Sequence, residues 1–77
     1  MKLRREDLCE FMRAWRMVNS RGRHSVEDWE RYIEAGKRIG DAVDLCRDAM
    51  KLEPGIGVDV LCDILRMLGI EIEEEGG

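Results

Sequence analysis

Apolar positions recur at helical spacing in three blocks of this chain. In the first, Leu8, Phe11, Met12, Trp15 and Val18 fall on one face, with Glu10 and Arg13 on the other. In the second, Tyr32, Gly36, Ile39, Val43, Cys46 and Met50 repeat at alternating intervals of four and three, which lays all six along one stripe. The opposite side carries Glu27, Glu30, Arg31, Glu34, Lys37, Arg38, Asp41, Asp44 and Asp48. In the third, Val60, Leu61, Ile64, Leu65, Met67 and Leu68 wrap well beyond a single stripe. The pattern predicts an all-α chain of three helices, short, long and short, over about residues 4–18, 26–52 and 58–68.

End signals support these bounds. Ser25 is a good N-cap, and Asp28 can complete a capping box. Pro54 biases Glu53 out of the α region, so the long helix stops by Leu52. Gly69 stands where a left-handed C-terminal cap belongs, with Ile70 able to fold back on Leu65. Gly36 and Gly40 each cost roughly 1 kcal/mol inside a helix, and Gly40 followed by Asp41 offers a place to divide it. The apolar stripe passes through both glycines unbroken, which favours one continuous helix. Residues 1–70 then form a single helical domain, and residues 71–77 an acidic flexible tail.

Helix lengths set the expected assembly. At 1.5 Å per residue the three helices span about 22, 40 and 16 Å, so each short helix covers only half of the long one. A two-helix layer cannot enclose a core. With Met17 and Leu45 also standing on polar faces, the expectation is a homodimer that completes a helical bundle. Its association surface comprises Gly36, Ile39, Val43, Leu45, Met50, Val60, Ile64 and Met67. A monomer in which the third helix folds across the other two is the alternative.

Composition narrows the class. The 77 residues hold one domain, and 44% hydrophobic with 39% charged residues is the balance of a soluble globular protein. The basic start is followed by an amphipathic, charged helix rather than an export signal, and no apolar run reaches bilayer length, so a cytoplasmic protein is expected. The chain has no Thr or Gln, one Asn (Asn19), and ten Arg against three Lys, a balance that points to a thermophilic source. Cys9, Cys46 and Cys62 read as buried thiols.

Little here is built for chemistry. Cys9, His24, Cys46 and Cys62 each come from a different segment, without the close pairs of a structural zinc site. His24 with Ser20 and Ser25 lacks the third group of a triad, and Asp41, Asp44 and Asp48 lie on successive turns of one solvated face. Gly55-Ile56-Gly57 lacks the Lys and Ser/Thr of a phosphate loop. The expectation is a protein without enzymatic activity, metal or cofactor. Gly76-Gly77 is similar to the di-glycine ending of ubiquitin-like modifiers, but nothing else of that family's body is legible here.

Charge is unevenly divided. Residues 1–24 hold seven Lys or Arg against three acids, net +4, while residues 25–77 hold six against fourteen, net −8. Arg13, Arg16, Arg21, Arg23 and His24 cluster around the first turn beside Trp15, an arrangement able to meet phosphates and stack on a base. A net charge of −4 and a pI near 5.0 run against it. The leading reading is a small interaction module that associates with itself and with a protein partner the sequence does not name. The alternative is a nucleic-acid-associated regulator of mobile-element origin.

Overall fold

The computed structural model describes residues 2–73. Its elements run β1 (Lys2–Arg4), α1 (Arg5–Val18), α2 (Val26–Ile39), α3 (Ala42–Leu52), α4 (Val58–Met67) and β2 (Glu71–Glu73). The chain is mostly helical, as expected, but with four helices rather than three. The long helix is divided at Gly40.

Gly40 causes the division. Its φ of 55° and ψ of −126° form a backbone conformation open to glycine and strained for any residue with a Cβ. The Gly40 N–H still donates to the Gly36 carbonyl at 3.0 Å, closing α2, and the Gly40 carbonyl accepts from Val43 N–H at 3.1 Å, opening α3. Asp41 contributes no side-chain cap. Periodicity misses the break because both halves bury their stripe in one core. Ile39 lies on one side of the turn, and Ala42, Cys46 and Met50 lie on the other, all of them buried.

The predicted end signals hold elsewhere. The Ser25 hydroxyl accepts from Asp28 N–H, and the Asp28 carboxylate accepts from Ser25 N–H, both at 3.2 Å, which completes the capping box. At the end of α4, Ile70 N–H donates to the Leu65 carbonyl and Gly69 N–H to the Arg66 carbonyl, each at 3.0 Å, with Gly69 at a φ of 90°. That pair is a Schellman ending. At the other end of α4, Asp59 pairs with Arg5 at the start of α1.

Phe11, Leu8, Ile39, Met50, Leu61, Leu65, Cys46 and Cys62 form a fully buried centre drawn from all four helices. Breaking the long helix lets one chain close this core, so the premise for a dimeric bundle falls away. Ile39 and Met50, assigned above to the association surface, are spent inside their own chain. The ends also differ from expectation. β1 and β2 pair in parallel, Lys2 opposite Glu71, Leu3 opposite Ile72 and Arg4 opposite Glu73. Leu3 and Ile72 are buried, and the opposed charges stay outside. Residues 71–73 thus belong to the folded unit, and the remaining residues of the expected tail, 74–77, lie outside the described residues.

The two α2 glycines answer to different constraints. A Cβ on Gly36 would meet Val43 Cγ2 at 3.5 Å and Phe11 Cε1 at 3.7 Å, which is ordinary contact. Gly36→Ala is therefore expected to stabilise the fold by about 1 kcal/mol through helix propensity. Gly40→Ala is expected to destabilise it by about 1–3 kcal/mol through backbone strain. Chemical denaturation followed by circular dichroism reads both, and equal shifts in one direction contradict this account.

Candidate interaction surfaces

The basic cluster read from the sequence does not assemble as one site. Arg16 Nη2 donates to the carbonyls of Pro54, at 3.2 Å, and of Ile56, clasping the turn between α3 and α4. It serves as a structural tie. Arg13, Arg21 and Arg23 are exposed. His24 is held by a 3.0 Å contact between Nε2 and the Ser20 carbonyl. Trp15, the aromatic expected to stack beside the arginines, is half-buried and packs on the core.

Arg13 lines a groove of about 590 Å³ between α1 and α2. Glu10, Glu27, Glu30 and Glu34 share that groove with Arg13, Arg31 and Arg38, so carboxylates outnumber guanidinium groups. Arg38 pairs with Glu10 across it at 3.2 Å. Such a lining repels phosphate about as well as it attracts it.

The residues assigned to self-association separate by depth. Gly36 and Val43 are half-buried and face each other, and Ile64 packs on the core. Leu45, Val60 and Met67 remain on the surface.

The largest departure is an apolar track on α2 to which the sequence reading gave no role. Val26, Trp29 and Ile33 are 73%, 46% and 53% exposed. Their spacings of three and four place them along one side of the helix, beside the buried Ala35 and Ile39 side. Trp29 is edge-on to His24 at 6.4 Å and to Tyr32 at 6.3 Å, and Tyr32 in turn meets Phe11 at 5.5 Å. A line of rings thus runs from the core to the surface and holds the indole in place. The spacing was legible in the sequence, but the stronger Tyr32–Met50 stripe claimed the helix. Leu52, Val60, Met67 and Leu68 are further exposed apolar residues on α3 and α4.

The three cysteines form no disulfide, with Cys46 and Cys62 buried and Cys9 half-buried. Burial, and then the neighbouring Cys62, push the Cys46 thiol up to about 11 from an ordinary 9.0. Among the described residues no cluster of His, Cys, Asp or Glu is arranged to hold a metal ion, and no helix is long and apolar enough to cross a membrane. No protein-family model, curated protein or solved structure matches the chain.

The Cys46 shift sets a pH dependence. The folded state holds the thiol proton more tightly than the unfolded chain, so this contribution is complete below pH 9 and is lost as pH rises toward about 11. Its size is of the order of 3 kcal/mol. Stability measured by urea denaturation is expected to fall more steeply across that window in the native chain than in Cys46→Ala. Parallel profiles contradict the assignment.

Proposed function

We propose that this chain is a non-enzymatic, cytoplasmic protein–protein interaction module that self-associates through a helical surface. The observation that carries the reading is the exposed Val26–Trp29–Ile33 track on α2. The four helices already close a core, so this track adds nothing to the fold by staying in water. An indole held by neighbouring rings costs little side-chain entropy to dock, and tryptophan is among the residues that dominate interface energies. Cysteines outside any disulfide suit a reducing interior.

A second reading, a nucleic-acid-associated regulator, draws on Arg21 and Arg23, which are exposed in the loop that leads to Trp29. Glu27, Asp28 and Glu30 stand on the same turn of α2 as Trp29, and their negative charge opposes a phosphate backbone there. The apolar track therefore outweighs the arginines.

Two measurements separate these readings. With a photoreactive benzophenone side chain in place of Ile33, irradiation in cells is expected to give a discrete protein adduct that disappears when Trp29→Ala is added. The same group in place of the exposed Asp48 should give none; equal yields from both positions, or none from either, sink the module reading. Fluorescence anisotropy of labelled DNA and RNA at low salt is expected to show no binding. Binding of micromolar strength or better, lost in Arg21→Ala/Arg23→Ala and steeply weakened by salt, establishes the second reading instead.

A further inference from the structure

We propose that the partner of this α2 surface is a second copy of α2, with the two helices packed antiparallel about a two-fold axis close to Ile33, so that Ile33 meets its own copy and Trp29 of each helix lies against the Lys37–Arg38 turn of the other. This rests on the interaction-module reading and deepens it by giving the self-association its orientation and its paired residues. The argument is one of charge. The first half of α2 carries Glu27, Asp28 and Glu30 with Arg31, net −2, and its second half carries Lys37 and Arg38 with Glu34, net +1. A two-fold axis across the middle of the helix lays the acidic half of each copy against the basic half of the other. A parallel pairing would set like against like. Antiparallel alignment also opposes the two helix dipoles.

Glu30 and Lys37 carry the match. They are seven residues apart, two helical turns, so both flank the apolar track on the same side of the helix. Ile33 lies between them, three residues after Glu30 and four before Lys37. An axis near Ile33 therefore brings Glu30 of each copy to Lys37 of the other, and the contact is made twice. Both groups are available for it. Glu30 forms no ion pair among the described residues, and Lys37 pairs only with Glu34 there, at 3.5 Å with both side chains over 60% exposed. A solvated pair of that kind holds its partner weakly.

The other apolar surface lacks this self-match. On α4, Val60 and Met67 stand among Asp59, Asp63 and Arg66, and Arg66 already pairs with Asp63 on its own helix. A single-helix contact is small, at the low end of specific interfaces, so the dimer is expected to be weak, with a Kd on the order of micromolar.

Sedimentation velocity of the whole chain from about 1 μM to about 1 mM tests the proposal. The native chain should pass from monomer to dimer across that range and go no further. Glu30→Lys and Lys37→Glu each set like charges opposite one another twice, and each should weaken the dimer by about tenfold or more. An equimolar mixture of the two variants restores opposite charges at both contacts and should restore dimerisation. Ile33→Asp, at an exposed position that does not hold the fold, should abolish it, with circular dichroism confirming a native spectrum.

A native chain that stays monomeric throughout overturns the proposal. So does a dimer that ignores both charge variants, or a mixture that fails to recover. If the chain is monomeric while the benzophenone at position 33 still captures a discrete protein of different mass, self-association falls and an interaction module for a different protein stands.

Discussion

The fold depends on a change of direction that one residue makes available. Ile39 and Ala42 must both enter the core although only Gly40 and Asp41 separate them. A straight helix of residues 26–52 would carry Cys46 and Met50 away along its axis, beyond the reach of α1. With Gly40 at a backbone angle reserved for residues lacking a Cβ, α3 leaves the line of α2 and the stripe folds over on itself. Cys46 and Met50 then meet Leu61, Cys62 and Leu65 from α4 in one continuous interior. Arg16 secures the following turn by holding two of its carbonyls, so α1 touches the chain on both sides of the bend.

Much of this was legible from residues alone. The helical class, the Ser25–Asp28 cap, the stop before Pro54 and the Gly69 ending all follow from local chemistry, and each acts over a few residues. The break at Gly40 was visible as a candidate, but periodicity could not decide it. A stripe that continues through a turn reads the same as one that continues through a helix. Pairing of the ends was invisible for another reason. Lys2–Arg4 and Glu71–Glu73 are each too short to signal a strand, and their opposite charges acquire meaning only when brought side by side.

The surface was harder to read than the core. Arg16 resembled its neighbouring arginines in sequence and differs from them only through the carbonyls it meets. Trp29 stands beside the dominant stripe, and its exposure is fixed by which side of α2 the other helices cover. Burial sorts residues by what packs on them, and that information is absent from spacing. What remains exposed on α2 is a three-residue apolar track flanked by charge that changes sign along the helix. This is the feature on which the functional reading stands.

The parallel strand pair has a consequence for the order in which the molecule forms. β1 is the first described element and β2 the last, so Leu3 cannot gain its cover until β2 has been synthesised and four helices have brought it back. Closing so long a loop carries a large entropic cost unless the intervening chain is already compact. The strand pair therefore forms late in folding, as a clasp on a helical body. Its geometry also governs how the clasp opens under load. Tension drawing the outer ends of two parallel strands in opposite directions loads their hydrogen bonds together in shear, so the ribbon yields as a unit rather than peeling residue by residue.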